Sequence, residues 1–290
     1  MKLSGHTTPY AVLGHPIGHT LSPVMHNASF RALGLDAIYL AFDVHPDRLL
    51  TVLPAMRDMG FGGVNLTVPL KEVAFRGLTD LAPSAARLGA VNTVEFVKGG
   101  GLRGHNTDGD GFLAAVSESF GEPVAGKRIF VLGCGGAGRA VALTCAAGGA
   151  AALVLTDMDP ARVSRLAGEL RTGFPTCRLE EIPPEAEHWQ AACRSADLAV
   201  QCTPVGMKPT DPPLLSPDAF RAGQLAFDLV YMFPETAFMR AARSAGARAA
   251  NGLGMLLHQG ARAFQIWSGR DADVSAMRGA LEGEVYGPRS

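Results

Sequence analysis

At 290 residues, 47% hydrophobic and 18% charged, the chain has ample material for a core and a length that suggests two domains. A net charge of -1, with no basic run and no aromatic–basic interleaving, argues against nucleic acid or a membrane surface as partner. The opening Met1-Lys-Leu-Ser-Gly-His6 has no apolar signal core, and no apolar run is long enough to span a bilayer. Cys134, Cys145, Cys177, Cys193 and Cys202 are odd in number and form no close pair. They read as reduced structural thiols in a cytoplasmic setting, and no metal site is expected.

Tyr10-Ala-Val-Leu13 reads as a short apolar strand. Gly14-His-Pro-Ile-Gly-His-Thr-Leu-Ser-Pro23 has too much glycine and proline for regular structure, and Ser22 before Pro23 suits an N-cap with proline in the first helical position. Val24, Ala28 and Leu33 give that helix a face, and Gly34 ends it. A strand is expected over 38–44, a helix over 46–59 with Leu49, Leu50, Leu53 and Met56 at helical spacing, and a strand over 61–66. This alternation implies a mostly parallel sheet. Asn65-Leu-Thr-Val-Pro-Leu-Lys71 then puts polar groups at the carboxyl end of a strand, where ligands gather in open α/β sheets. Asn65 and Thr67 also suit a turn. Lys71 is a cation at a helix start, opposing the dipole, which favours a functional over a stabilising role. Asn92 lies inside the apolar run Gly89-Ala-Val-Asn-Thr-Val94 and needs partners from backbone or ligand. Lys98-Gly-Gly-Gly101 is a hairpin turn with its return over 102–104. In the following Asn106-Thr-Asp-Gly-Asp-Gly111, Asp108 suits an N-cap for the helix of Phe112, Leu113 and Val116. The alternation of Asp and Gly there lacks the glutamate of a calcium loop.

From Gly121 the composition changes. Ile129 to Leu132 reads as a strand, Gly133, Gly135, Gly136 and Gly138 as a turn, and Ala140 to Ala147 as a helix. Glycines at 133, 135 and 138 have the spacing of a dinucleotide loop, in which the backbone approaches a pyrophosphate at a helix N-terminus. The same glycines would also serve a packing turn. Leu153-Val-Leu-Thr156 is a second buried strand. Asp157, about twenty positions past the loop, fits either the adenosine ribose hydroxyls or the cap of a helix starting near Pro160. Residues 172–187 read as irregular. Further strands are expected over 198–202, 225–230 and 247–250, and helices over 235–245, 255–267 and 273–281.

These motifs, in this order, resemble the shikimate dehydrogenase family, which includes quinate/shikimate dehydrogenases. The resemblance runs from Gly14 to Gly269 and rests on the segments 14–23, 65–71, Gly89-Ala-Val-Asn-Thr93, Asn106-Thr-Asp-Gly109 and the glycine loop. Tyr231 with Pro234 and Thr236, and Gly252-Leu-Gly-Met-Leu-Leu-His-Gln259, add to it. It implies an α/β protein of two domains, an N-terminal α/β substrate domain and a Rossmann-like dinucleotide-binding domain, with a cleft between them. The substrate domain would hold residues 1–107, with 255–290 returning to it, and the dinucleotide-binding domain residues 108–254.

The resemblance also implies roles. Lys71 and Asp108 match the catalytic pair. Thr20 and Ser22 match the hydroxyls that hold the substrate carboxylate, and Asn65, Thr67, Asn92, Tyr231 and Gln259 match positions lining the polyol. Gly133, Cys134, Gly135, Gly136, Ala137 and Gly138 match the phosphate loop, and Asp157 and Arg162 the adenosine ribose segment. Thr203 is a further cofactor-binding position, and Gly206, Met207, Leu229 and Gly252 match the nicotinamide side. The implied activity is interconversion of 3-dehydroshikimate and shikimate, in the shikimate pathway of aromatic amino acid biosynthesis. Quinate oxidation at the same site is the alternative, and a non-catalytic ligand sensor a remoter one that the intact Lys71 and Asp108 oppose.

Two departures stand out. The family's leading serine is Thr20, whose methyl trims the pocket. Where NADP-using members carry Asn-Arg-Thr, this chain has Asp157-Met158-Asp159. An aspartate accepts ribose hydroxyls and repels a phosphate, so the residues favour NAD, while Arg162 keeps NADP open. The partner expected is a small polyol carboxylate, and monomer and homodimer both stay open.

Overall fold

Alternating apolar strands and amphipathic helices build two separate six-stranded sheets in the computed structural model, which describes residues 3–208 and 210–287. The chain divides into two units accordingly. One runs through Gly111 and resumes at Leu256, and the other spans Phe112–Met255.

The first unit contains β1 (Thr8–Gly14), α1 (Ser22–Ala32), β2 (Ala37–Asp43), α2 (Leu49–Asp58), β3 (Gly63–Leu66), α3 (Leu70–Gly77), β4 (Asp80–Leu81), α4 (Pro83–Leu88), β5 (Thr93–Val97) and β6 (Gly101–His105), then the start of α5 (Asp108–Phe120). Its sheet order is β2-β1-β3-β5-β6-β4. β1 is parallel to β2 and β3, β5 is antiparallel to both β3 and β6, and β4 is parallel to β6. Only β5 is therefore reversed. The carboxyl ends of β1, β3 and β6 and the amino end of β5 fall along one edge, and the chain segments at that edge are the polar motifs of the sequence.

One face of this sheet packs Leu13, Val64 and Leu66 against Leu49, Leu53 and Met56 of α2 and Leu70 of α3. Elsewhere in the unit Tyr10 and Phe30 pack against Trp267 and Phe264 of α10 (Leu253–Ser268). The last helix, α11 (Val274–Tyr286), starts at Asp273, whose side chain accepts the Ala276 N–H at 2.8 Å.

The second unit holds the rest of α5, then β7 (Arg128–Leu132), α6 (Gly136–Ala147), β8 (Ala152–Thr156), α7 (Pro160–Gly173), β9 (Arg178–Glu181), α8 (Ala186–Ser195), β10 (Leu198–Gln201), β11 (Leu225–Asp228), α9 (Ala237–Ser244) and β12 (Arg248–Asn251). Every pairing in its sheet is parallel, in the order β12-β11-β10-β7-β8-β9. Counted within the unit this is the doubly wound 3-2-1-4-5-6 order. In sheets of this order ligands gather where the winding reverses, which here is beside β7 and β10. The central strands are buried on both faces, as parallel strands flanked by helices must be.

Several expectations are corrected. The span 46–59 opens with a 3-10 turn at Pro46–Arg48 before α2 begins. Residues 172–187 are not simply irregular. Arg178-Leu-Glu-Glu181 is the edge strand β9, too polar to betray itself in sequence, and α8 begins at Ala186. The strand expected to run to 230 ends at Asp228, and the final helix continues to Tyr286. Ser22 is not an N-cap. It is the first residue of α1, and Leu21 precedes it with no side-chain cap. Among the described residues no helix is long and apolar enough to cross a membrane.

Candidate active site

At the polar edge of the first unit, Lys71 enters from the first turn of α3, after β3, and Asp108 opens α5, after β6. Lys71 Nζ donates to Asp108 Oδ2 at 2.7 Å, with the two side chains 29% and 15% exposed. Asn92, just before β5, donates through Nδ2 to Asp108 Oδ1 at 2.9 Å and to Thr107 Oγ1 at 2.9 Å, with Gln259 Oε1 at 3.5 Å. Its own Oδ1 accepts the Thr107 N–H at 2.8 Å and the Thr93 hydroxyl at 2.9 Å. The amide that stood out in an apolar run is thus fully partnered by protein, and it fixes one oxygen of the carboxylate whose other oxygen meets the ammonium.

A second string of bonds runs along the same edge. Thr20 and Ser22 hydroxyls lie 3.3 Å apart. Because Ser22 is inside the helix rather than capping it, its hydroxyl is not consumed by the backbone. Tyr39 Oη donates to Asn65 Oδ1 at 2.6 Å, and Asn65 Nδ2 donates to Asn92 O at 3.1 Å and Thr93 Oγ1 at 3.0 Å. Burial holds the Tyr39 phenol well above its ordinary acidity range, against a hydrogen bond to Ser22 that lowers it. Tyr39 was invisible as a site residue in sequence, where a tyrosine in a strand reads as core. Thr67 packs its methyl against Gly14, where a Cβ would come within 2.5 Å. Gln259 Nε2 is held by Leu256 O at 2.9 Å.

In the second unit the glycine loop meets two different demands. Gly133 has φ +102°, and a Cβ on Gly138 would stand 1.8 Å from Gly133 O, so these two glycines permit the turn itself. A Cβ on Gly136 would meet nothing within 4 Å, and one on Gly135 only the Arg162 guanidinium at 3.8 Å. Gly135 precedes α6 with no side-chain cap and no acidic residue in the first turn. Open space beside uncapped N–H groups at Gly136, Ala137 and Gly138 suits a diphosphate. Cys134 contributes its backbone. Its thiol donates to Thr156 O at 3.5 Å and is pushed up to about 12 by burial and then by the Asp157 charge, so it stays protonated.

Asp157 does not cap α7. Asp159 does, accepting the Ala161 N–H at 3.0 Å. Asp157 instead accepts the Cys134 N–H at 2.7 Å and the Asp159 N–H at 2.9 Å, which fixes a carboxylate against the loop. Met158 beside it is 73% exposed, and Arg162 pairs with Asp159 at 3.4 Å. Thr203 packs on Gly133, Gly206 (φ +104°) faces Val230, and a Cβ on Gly252 would stand 2.1 Å from Leu229 O. Tyr231 follows β11, and Met207 is half exposed. The structure therefore gathers the predicted cofactor set, with Tyr231, on the second unit, and the other predicted substrate and catalytic residues on the first.

The remaining histidines divide. His15 pairs with Asp43 at 2.5 Å on the surface, whereas His26 is fully buried, with neither ring nitrogen hydrogen-bonded. It stacks on Tyr39 at 4.3 Å, and burial lowers its pKa to about 3. All five cysteines are free, and no cluster of potential metal ligands occurs among the described residues.

Comparison with known proteins gives consistent matches. Residues 12–94 match the family model described as shikimate dehydrogenase substrate binding domain, and 252–282 that described as shikimate 5'-dehydrogenase C-terminal domain. The chain is 45% identical over 295 residues to a shikimate dehydrogenase (NADP(+)) of Moorella thermoacetica, covering 100% of this chain and 97% of the relative. Among solved structures, the Listeria monocytogenes shikimate 5-dehydrogenase in complex with shikimate and NAD aligns with TM-score 0.90 and 33% identity, covering 97% of this chain and 98% of that one. The Thermus thermophilus shikimate 5-dehydrogenase in complex with NADP(H) and shikimate aligns with TM-score 0.81 and 40% identity, covering 95% and 98%.

Proposed function

The chain belongs to the shikimate dehydrogenase family, and on that premise we propose that it interconverts 3-dehydroshikimate and shikimate, with Lys71 as the proton carrier. The reaction belongs to the shikimate pathway of aromatic amino acid biosynthesis. The observation that carries the assignment of Lys71 is its 2.7 Å pair with Asp108, itself oriented by Asn92. When bound, the nicotinamide supplies or accepts the hydride. The protein's share is to seat the polyol and to move one proton at its reacting oxygen. In reduction Lys71 delivers that proton to the oxygen of the ketone, and in oxidation it takes it back. Asp108 keeps the ammonium in place. Acid–base help of this kind is worth about a hundred- to ten-thousand-fold in rate.

Thr20 and Ser22 supply hydroxyl donors for the substrate carboxylate. Asn65, Thr67, Asn92, Gln259 and Tyr231 supply the short polar groups that a ring with several hydroxyls needs. In this reading Asn65 and Asn92 act chiefly by holding their neighbours, since protein groups already occupy both ends of each amide.

The cofactor is a nicotinamide dinucleotide, seated on the open glycines and the start of α6. NAD is the form the residues favour. The Asp157 carboxylate is fixed by the loop where an added phosphate would meet its charge, Met158 offers no cation, and Asp159 already engages Arg162. The Moorella relative, named for NADP(+), and the Thermus structure, solved with NADP(H), support NADP instead; Arg162 is then the residue that would grip its phosphate. Steady-state kinetics of shikimate and quinate against NAD and NADP test both readings. Shikimate with NAD should give the highest kcat/KM. A clear preference for NADP overturns the argument from Asp157, and turnover of quinate alone overturns the choice of substrate.

A further inference from the structure

Gln201 and Asp228 are the last residues of β10 and β11 and stand opposite each other in the parallel register. They are 1% and 0% exposed. A carboxamide and a carboxylate are expensive to bury, and apolar side chains of similar volume would stabilise two strand ends better. Burial shows in the carboxyl itself, whose pKa is pushed up to about 6. The reason for the pair lies in where its bonds go, which is into the turns that leave the sheet.

Gln201 Nε2 donates to Thr203 O at 3.1 Å and Val205 O at 2.8 Å, and its Oε1 accepts the Thr203 N–H at 2.5 Å. One side chain thus shapes the turn that ends in Gly206. Asp228 Oδ1 accepts the Val230 N–H at 3.0 Å, and Oδ2 accepts the Thr236 hydroxyl at 2.6 Å. Thr236 in turn caps α9 through the Met239 N–H at 3.2 Å. Gln201 Nε2 also reaches Asp228 Oδ1 at 3.4 Å, which links the two turns. The bonds to Thr203, Val205 and Val230 secure the backbone beside Gly206 and Leu229, at the carboxyl edge where folds of this order receive a ligand.

We propose that Gln201 and Asp228 are positioning residues for the nicotinamide half of the cofactor, locking together the turns after β10 and β11 that flank the ring. This rests on the dehydrogenase reading above, which assigns Gly206, Met207 and Leu229 to that half. The adenosine half depends on the glycine loop and Asp157, to which neither residue is bonded; Thr203, held by Gln201, packs on Gly133, so Asp228, whose turn bonds go to Val230 and Thr236, is the cleaner probe of the two. The two halves therefore respond differently when the pair is broken.

The test is calorimetric titration of the full-length chain with NAD and with ADP-ribose, which lacks the nicotinamide, for wild type, Gln201→Met, Asp228→Ala and the conservative Asp228→Asn. Loss of two or three turn bonds should weaken NAD binding about ten-fold or more in Gln201→Met and Asp228→Ala, while ADP-ribose binding stays within about two-fold of wild type. Asp228→Asn, which keeps acceptors for Val230 and a partner for Thr236, should bind both like wild type. If NAD and ADP-ribose weaken together, the pair is merely structural and the proposal fails. It fails equally if neither changes. Should Gln201→Met not fold, the contrast between Asp228→Ala and Asp228→Asn decides alone. A wild type that binds no dinucleotide and turns over no shikimate would refute the dehydrogenase reading itself, a distinct outcome.

Discussion

The Lys71 ammonium and the Asp108 carboxylate form a 2.7 Å ion pair in which the carboxylate is the more buried partner, 15% exposed against 29%. Asn92 occupies the second carboxylate oxygen at 2.9 Å, so Asp108 has no freedom to turn away from the lysine. Lys71→Ala should therefore cut kcat by about a hundred- to ten-thousand-fold while dinucleotide binding survives. Asp108→Asn should also lose most turnover, since the amide no longer fixes the ammonium by charge. Single-turnover reduction followed by absorbance at the reduced-nicotinamide band, beside a binding titration, reads both. Turnover near wild type in Lys71→Ala removes the lysine from the mechanism.

Tyr39 is the next point of leverage. Its hydroxyl supplies the 2.6 Å bond to Asn65 Oδ1, and in Tyr39→Phe that buried oxygen loses its donor. Leaving a buried polar atom unpaired costs about 1–3 kcal/mol, and here part of that cost should fall on substrate binding. We expect a raised KM for shikimate with the KM for dinucleotide unchanged. Equal changes in both would mean that Tyr39 acts only on the fold.

The loop glycines should separate into two kinds. Gly138→Ala drives a methyl to within 1.8 Å of Gly133 O, an overpacking that costs about 1–3 kcal/mol or more and lowers Tm. Gly136→Ala puts its methyl into open space and replaces glycine with a better helix former at the first position of α6, so Tm should hold or rise slightly. Yet Gly136→Ala should weaken NAD, because the methyl enters the space assigned to the diphosphate. Thermal melts with and without NAD test the pair. Full NAD affinity in Gly136→Ala would place the diphosphate elsewhere.

His26 makes the fold sensitive to acid. Its pKa is lowered from 6.5 to about 3 by burial. Below pH 6.5 the unfolded chain takes up a proton that the folded one refuses. The contribution is thus whole above 6.5 and lost as pH falls towards 3. At pH 4.5 the loss is on the order of 2–3 kcal/mol. His26→Phe, which can keep a ring against Tyr39, should be free of this term. Urea denaturation at pH 7 and 4.5 should show the variant gaining on wild type by that amount at the lower pH. Parallel losses in both proteins would show that His26 is not the sensor.

The sequence made some of this legible and hid the rest for physical reasons. Lys71 stands out because a cation at a helix start opposes the dipole where ligands are bound, and Asn92 because an amide in an apolar run demands partners; Asp108 by itself reads only as a helix cap, and it is the family resemblance that pairs it with Lys71. The glycine spacing announces a close backbone approach. Ser22 misleads, because a serine before proline looks like a cap, and only the backbone shows the helix starting at Ser22 itself. Tyr39, Gln201 and Asp228 are each one polar group at the end or middle of an apolar strand. What they hold depends on neighbours far along the chain, which composition and periodicity do not report. β9 is missed because an edge strand of Arg178, Glu180 and Glu181 is paired by backbone rather than by an apolar pattern.

The strand order of the second unit places β8, with Asp157 at its end, on one flank of β7 and β10 and β11 on the other. On the reading proposed above, a lineage exchanges one coenzyme for another by rewriting the few residues between Asp157 and Arg162, without disturbing the turns after β10 and β11 assigned to the nicotinamide. Choice of electron donor and fidelity of its delivery are traits that can evolve, or be engineered, one at a time.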